Sequence, residues 1–113
     1  LAVFDAIINN ADRKAGHILT NNEKRVWAID HGVAFNVEPK LRTVIWGWLG
    51  QEVPEILLKD VSELCLKITN SEIIELLDTQ EIIELENRIN ALIETKIFPS
   101  PSSNWPAVPW PIF

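Results

Sequence analysis

The sequence predicts a mostly helical α+β domain, and three observations lead to that fold class. Apolar residues recur at helical spacing over residues 53–97. Two short β-type runs, at Ile18–Leu19 and Arg25–Ile29, flank an asparagine-containing turn and indicate one β-hairpin. The 113 residues are 47% apolar, which is enough to build the core of one domain. We therefore expect one domain over residues 1–97 and a separate arm over residues 98–113.

The first helix is predicted at the start of the chain. Phe4, Ile7 and Ile8 share one face by the i, i+3, i+4 rule, so Val3–Ile8 is typical of the last turns of a helix. Asn9 and Asn10 follow immediately, and asparagine is a poor helix former that favours turns.

Three more helices are predicted in the middle of the chain. Pro54 suits a first helical turn, since its missing N–H costs nothing there. Ser71 is a candidate N-cap for a short second helix. Asp78 followed by Glu81 is a capping-box pattern, and it opens the clearest helix of the chain. The apolar faces of these helices predict the core; they comprise Leu57, Val61, Leu64, Cys65, Ile68, Ile73, Ile74, Leu77, Ile82, Leu85, Ile89, Leu92 and Ile93.

The last sixteen residues, 98–113, are rich in proline and aromatic residues. Such a composition is compatible with a disordered polyproline ligand. Disordered segments are poor in aromatic residues, however, and Trp105, Trp110 and Phe113 would be costly to leave in water. We therefore favour an extended arm packed on the domain.

Composition narrows the functional classes. The net charge of −6 argues against nucleic-acid binding, which depends on clustered lysine and arginine. No apolar run approaches the roughly 20 residues needed to span a bilayer. A single cysteine, Cys65, excludes an internal disulfide framework and a cysteine-cluster metal site, and it indicates a reducing, cytoplasmic location. Leu1 stands where a translation start would carry Met, so we expect an N-terminally truncated chain.

Three polar residues in the loop-rich half of the chain are candidates for catalysis and metal binding. Asp12 lies in a loop after the first helix, His17 follows at +5, and Asp30 closes the second β-type run before His31–Gly32. Kinases place a proton-accepting Asp, a metal-binding Asn at +5 and a metal-binding Asp of an Asp-x-Gly turn in this order. Spacing alone leaves open that Asp12 merely turns its loop and that Asp30–Gly32 is a strand-end turn.

The surrounding residues resemble a known family. Asp12–Leu19 and Ala28–Phe35 resemble the catalytic and metal-binding loops of phosphatidylinositol 3-/4-kinases, the second motif being closest to the type II 4-kinases. The whole chain is similar to the C-terminal half of a bacterial phosphatidylinositol 3-/4-kinase-like family of the protein-kinase-like superfamily. That similarity lies in Asn9–Lys14, Lys40–Trp48 and Trp105–Pro111.

The resemblance implies a kinase-like C-terminal lobe whose small hairpin carries the catalytic and metal loops. It implies an ATP-dependent transfer of phosphate to a hydroxyl acceptor. Asp12 would be the catalytic aspartate, and Arg13 a loop-organising or phosphate-facing cation. Asp30 would hold Mg²⁺ or Mn²⁺ on the ATP phosphates, together with His17 at the position of the metal-binding Asn.

Two departures from the family qualify these expectations. Mg²⁺ prefers oxygen ligands, so His17 would bind it weakly, favour Mn²⁺, contact a phosphate as a cation, or mark lost activity; a loop histidine bonded to backbone is the plain alternative. The phosphate-covering Gly-rich loop and the strand lysine of an N-terminal lobe are not in this sequence. Either the lobe is missing from the start of this chain, or the protein does not bind ATP. The absent Met favours the first, so we expect the lobe in the same polypeptide and no activity of the fragment alone.

The acceptor is left open by the sequence. Lys40 and Arg42 follow the Asp-His-Gly motif, where kinases place the substrate-selecting segment, and are weak candidates for facing a substrate. No basic patch indicates a membrane surface, so a protein or small-molecule hydroxyl is favoured over a lipid. The alternative function is a pseudokinase acting as a binding module, with the Trp/Pro-rich arm as its docking element.

Overall fold

A computed structural model describes all 113 residues and confirms the α+β fold class. The chain contains four α-helices and one antiparallel sheet of two strands. In chain order these are α1 (Ala2–Ile8), β1 (Ile18–Thr20), β2 (Val26–Ala28), α2 (Glu55–Lys67), α3 (Ile73–Leu76) and α4 (Thr79–Thr95). Short 3₁₀ turns occur at Ala15–His17, Trp46–Trp48 and Ile68–Asn70.

The end of α1 lies where the asparagines predict it. Asn9 adopts the left-handed conformation at the C-cap, with φ of 53°, which asparagine tolerates better than most residues. Both asparagine side chains are buried, and each holds a loop. The Asn9 amide donates to the carbonyls of Asn36 and Glu38 at 2.8 and 2.7 Å, and its oxygen accepts from the Lys40 N–H at 2.9 Å.

The core forms where α4 packs on α1 and α2. The capping box that opens α4 is confirmed: Asp78 Oδ1 accepts from the Glu81 N–H and Glu81 Oε2 from the Asp78 N–H, both at 2.9 Å. The buried apolar cluster consists of Val3, Ile7, Ile8, Val53, Val61, Ile68, Leu85, Ile89, Leu92 and Phe98.

Three details of the helices differ from the sequence-based expectation, and one is that Leu57, predicted in the core, is exposed. On α1 the predicted Ile7 and Ile8 are buried together with Val3, while Phe4 is exposed and packs edge-on against the His31 ring, with the ring centres 5.3 Å apart. The apolar face therefore runs through Val3 and Ile7, which is an equally good i, i+4 pair. Ser71 does not cap α3: it ends the preceding 3₁₀ turn, where its hydroxyl donates to the Ile68 carbonyl, and Glu72 holds the N-cap position.

The predicted hairpin is present. β1 and β2 pair in the register Ile18 with Ala28, Leu19 with Trp27 and Thr20 with Val26. Asn21 organises the turn, because its side-chain oxygen accepts from the N–H groups of Glu23 and Arg25. The hairpin therefore carries the chain directly from His17, before β1, to Asp30, after β2.

The arm of residues 98–113 lies against the loops that surround α1. The Ala107 carbonyl accepts from the Thr43 N–H at 3.0 Å and from the Trp46 indole at 2.8 Å, and the Ile112 carbonyl accepts from the Ala15 N–H at 2.8 Å. Pro109 is buried. The aromatic residues at the end of the arm are not packed as expected, since Trp110 is 85% and Phe113 80% exposed.

None of the helices combines the length and the apolar character that crossing a bilayer requires.

Candidate functional site

The candidate site rests on a buried ion pair between α1 and the loop that follows it. Arg13 is 0% exposed, and its Nε and Nη2 donate to the two carboxylate oxygens of Asp5, both at 2.8 Å. Asp5 Oδ1 also accepts from the Asn10 amide at 3.0 Å. A bidentate guanidinium–carboxylate pair of this kind fixes orientation as well as distance.

Arg13 connects the two loops that carry the predicted chemistry. Its Nη1 donates to the carbonyl of Ile29 at 2.8 Å, one residue before Asp30. Its backbone lies next to Asp12 and pairs with Thr43 in a parallel bridge. Of the two roles predicted for Arg13, the enclosed guanidinium fits loop organisation. It does not fit a phosphate-facing role, because no donor of the guanidinium is open to solvent.

The structure brings His17 and Asp30 together. His17 Nε2 lies 3.4 Å from Asp30 Oδ2 across the base of the hairpin. The backbones meet there as well, because the Ile29 N–H donates to the His17 carbonyl at 3.0 Å. The Asp30 side chain is 62% exposed, so its carboxylate remains open to a ligand arriving from solvent.

The other nitrogen of His17 bears on its predicted role as a metal ligand. Nδ1 faces the backbone N–H of Lys14 at 3.5 Å, which makes it a weak acceptor. In a neutral imidazole one nitrogen accepts and the other carries hydrogen. This tautomer points an Nε2–H at Asp30, and metal ligation through Nε2 would require the Lys14 contact to be given up.

Asp12 lies between two cations. Its Oδ1 is 3.3 Å from Arg42 Nη2, and its Oδ2 is 3.6 Å from Lys14 Nζ. Arg42 is itself fixed, because its Nε donates to the Ala11 carbonyl at 2.7 Å. All three charged side chains are partly exposed, so a small anion could contact both cations beside the Asp12 carboxylate.

Of the two weaker candidates, only Arg42 contacts Asp12. Lys40 pairs with the exposed Glu38 at 3.1 Å. The two cations meet on Trp105 of the arm: Lys40 Nζ lies 4.9 Å and the Arg42 guanidinium 5.7 Å from the centre of its ring. Contacts of a cation with an indole face contribute about 0.5–1 kcal/mol each at exposed positions.

The donor set fits a divalent ion only in part. No three His, Cys, Asp or Glu side chains lie together as a metal site. His17 Nε2 and Asp30 Oδ2 are 3.4 Å apart, close to the roughly 3.0 Å between adjacent ligands of an octahedral ion with bonds of ~2.1 Å. Mg²⁺ commonly uses one or two protein ligands and completes its shell with phosphates and water.

Three site residues escaped the sequence analysis. Asp5 carries no local signal, since an acidic residue in a short helix is normally solvated. Lys14 and Trp105 stand in the recognised motifs, but the sequence did not show which side chains they contact. Only the contact of Lys14 with Asp12 could have been expected, because the two residues are two positions apart. The contacts of Trp105 with Lys40 and Arg42 join positions that are far apart in the sequence.

Comparison with known proteins adds one relative. The chain is 39% identical over 116 residues to Protein Rv2133c of Mycobacterium tuberculosis, a match that covers 100% of this chain and 41% of that protein. The chain thus spans about two-fifths of the length of this relative. The relative's name states no activity. No known family profile matches the chain. No solved structure matches it either.

Proposed function

We propose that this chain is the C-terminal, catalytic-loop half of an ATP-dependent phosphotransferase of the phosphatidylinositol 3-/4-kinase-like class. Its fold would then be the C-terminal lobe of a kinase-like domain, completed by an N-terminal lobe in the same polypeptide. The observation that carries the proposal is the meeting of His17 and Asp30 at 3.4 Å, on a hairpin that Arg13 ties to the loop of Asp12. The sequence resemblance supports the same assignment of roles.

In this proposal Asp12 acts on the acceptor. Its carboxylate orients the acceptor hydroxyl and accepts its proton while the hydroxyl oxygen attacks the γ-phosphorus of ATP and ADP leaves. Lys14 and Arg42, which flank Asp12, would contact the negatively charged oxygens of the transferred group. Phosphoryl transfer asks for this kind of positioning and charge stabilisation, and for little covalent chemistry from the protein.

Asp30 is the proposed main ligand of a divalent ion bound to the ATP phosphates. A bound Mg²⁺ or Mn²⁺ supplies charge neutralisation on those phosphates. The exposed Asp30 carboxylate would hold the ion, and His17 would either join it through Nε2 or orient the carboxylate by a hydrogen bond. The acceptor is a hydroxyl of a protein or small molecule.

The test uses the full-length protein. Mn²⁺-dependent and Mg²⁺-dependent ATP affinities are measured by calorimetry for wild type and Asp30→Asn. We expect the substitution to abolish the metal-dependent part of the affinity, while Glu23→Gln, which removes an exposed carboxylate from the same hairpin, leaves it unchanged. Asp12→Asn should retain metal-dependent ATP binding and lose phosphate transfer. Unchanged metal dependence in Asp30→Asn contradicts the proposal.

His17 provides a sharper version of the same test. If Nε2 is a ligand, Mn²⁺ should support activity better than Mg²⁺, and His17→Asn should shift that preference toward Mg²⁺. If His17 only orients Asp30, His17→Asn leaves the metal preference unchanged.

A second candidate is a pseudokinase acting as a binding module. The exposed Trp110 and Phe113 at the end of the arm favour it, because tryptophan is enriched among the residues that contribute most of the binding energy in protein interfaces. Failure of the full-length protein to bind ATP with either metal, combined with no gain in His17→Asn, would select this candidate.

A further inference from the structure

Trp105 of the arm lies on two cations, Lys40 and Arg42, that follow the hairpin in the sequence. Lys40 Nζ is 4.9 Å and the guanidinium carbon of Arg42 is 5.7 Å from the centre of the Trp105 ring. A cation above the face of an indole is attracted by the negative charge of that face. The ring therefore keeps together two positive side chains that would otherwise repel each other.

Arg42 carries this contact on to Asp12. Its Nε donates to the Ala11 carbonyl at 2.7 Å, which fixes one edge of the guanidinium. Its Nη2 lies 3.3 Å from Asp12 Oδ1, a long hydrogen bond that a small rotation of the guanidinium would break. The Trp105 ring lies against the guanidinium and opposes that rotation.

The backbone of the arm, and not the indole N–H, fixes the position of Trp105. Two residues further on, the Ala107 carbonyl accepts from the Thr43 N–H at 3.0 Å and from the Trp46 indole at 2.8 Å. The Trp105 N–H is buried and has no hydrogen-bond partner, which is costly. A hydrogen bond therefore does not account for the place of this ring, whereas its contacts with the two cations do.

The arm also contacts the loop of Asp12 further along the chain. The Ile112 carbonyl accepts from the Ala15 N–H at 2.8 Å. Ala15 lies between Asp12 and His17, the two candidate site residues of that loop. The arm thus joins the segment that carries Arg42 to the loop that carries Asp12.

We infer that Trp105 is a positioning residue of this site: it holds the Arg42 guanidinium against the Asp12 carboxylate and so keeps that carboxylate directed at the acceptor. The orientation of Arg42 by Trp105 is independent of any reaction, whereas the consequence for the acceptor rests on the proposed function. Trp105 acts through Arg42. Its loss should therefore lower turnover and leave the binding of ATP, which is assigned to Asp30, unchanged.

The first measurement follows Arg42 without any ligand. The exchange of its Nε–H with solvent is measured by NMR in the full-length protein, and the signal is identified by its absence in Arg42→Gln. We expect Trp105→Leu to speed this exchange at least tenfold, because the guanidinium loses the ring that covers it. Trp105→Phe keeps an aromatic face and removes only an unpartnered N–H, so its exchange should stay within threefold of wild type.

The second measurement is the release of inorganic phosphate from ATP with Mn²⁺, in which water takes the place of the acceptor hydroxyl and ADP leaves. Trp105→Leu should lower kcat at least tenfold and change the KM for ATP less than twofold, and Trp105→Phe should restore most of kcat. In an Arg42→Gln background, Trp105→Leu should lower kcat less than twofold further, because the residue through which it acts is gone. Trp110→Leu, at an indole that is 85% exposed, is the matched control and should equal wild type in both measurements.

A fluorinated tryptophan at position 105 alone provides a second variant, because it keeps the shape of the ring and weakens the negative charge of its face. It should speed the exchange of the Arg42 Nε–H at least threefold. Unchanged exchange in Trp105→Leu, or in the fluorinated variant if Trp105→Leu does not fold, overturns the inference, and so does a loss that Trp105→Phe fails to restore. A wild-type protein that releases no phosphate contradicts the proposed function instead, and the exchange of Arg42 then decides its orientation by Trp105.

Discussion

Removal of the Arg13 guanidinium should be the most damaging single truncation in the loop-rich half of the chain. Arg13→Ala leaves the Asp5 carboxylate buried with only the Asn10 amide as a side-chain partner, and it leaves the Ile29 carbonyl without its donor. Breaking a buried ion pair by removing one partner costs about 3–5 kcal/mol. Domains of this size are stable by only about 5–15 kcal/mol.

The assay is equilibrium unfolding in urea together with thermal unfolding. At roughly 4 °C per kcal/mol, the melting temperature should fall by about 12–20 °C. Arg25→Ala is the matched control, because this arginine is exposed on the hairpin and its side-chain contact with the Trp27 ring, at 5.7 Å, contributes at most about 1 kcal/mol.

A double-mutant cycle tests the physical reason. Asp5→Ala and Arg13→Ala should each be strongly destabilising, while the double variant should cost clearly less than the two together, because neither charge is then left buried alone. A loss below ~1 kcal/mol in Arg13→Ala, or additive losses in the double variant, would refute the reasoning.

Two further predictions concern stability. Asp78→Ala should lower the free energy of unfolding by about 1 kcal/mol, because it removes the capping box of α4. Asp60→Ala, on the exposed face of α2, is the control and should leave it unchanged. Equal urea unfolding midpoints for the two variants would contradict the capping role. Deletion of residues 104–113 should cost about 3–5 kcal/mol through the lost hydrogen bonds and cation–indole contacts, whereas Trp110→Ala should change the melting temperature by no more than a degree or two. An undiminished melting temperature of the truncated chain would show that the arm is not part of the fold.

Elements specified by local patterns were predictable from the sequence. Two residues three positions apart, Asp78 and Glu81, specify the capping box of α4. Two short β-type runs on either side of Asn21 specify the hairpin. The α1 stop at Asn9 follows from the backbone preference of asparagine alone. These features do not depend on tertiary contacts, so hydrophobic periodicity and the turn preferences of single residues are enough to predict them.

Features that depend on distant partners were not predictable. The burial of Asp5 is decided by Arg13, and the choice of Val3 over Phe4 for the core is decided by what α4 presents to α1. The same limit applied to the arm. Its aromatic content indicated packing, but Trp105 is held by two cations from another segment, and Trp110 has no such partner.

Arg13 and Asp30 belong to the same site, but substitution of Arg13 should reduce stability, whereas substitution of Asp30 by Asn should affect ligand binding alone. Arg13 is enclosed and makes three side-chain hydrogen bonds, so its substitution disturbs fold and site together. Asp30 is mostly exposed, its only ion-pair partner is His17, and it adopts a left-handed backbone with φ of 58°, which asparagine also accepts.

Asp30→Asn should therefore leave the free energy of unfolding unchanged within ~0.5 kcal/mol in the absence of metal, while Asp30→Ala should lose stability through the left-handed backbone. In wild type, Mn²⁺ and ATP together should raise the melting temperature, because a ligand that binds only the folded state stabilises it. That increase should vanish in Asp30→Asn. An Asn variant that is destabilised without metal would instead show that Asp30 has a structural role, and its effect on nucleotide binding could then not be attributed to metal ligation.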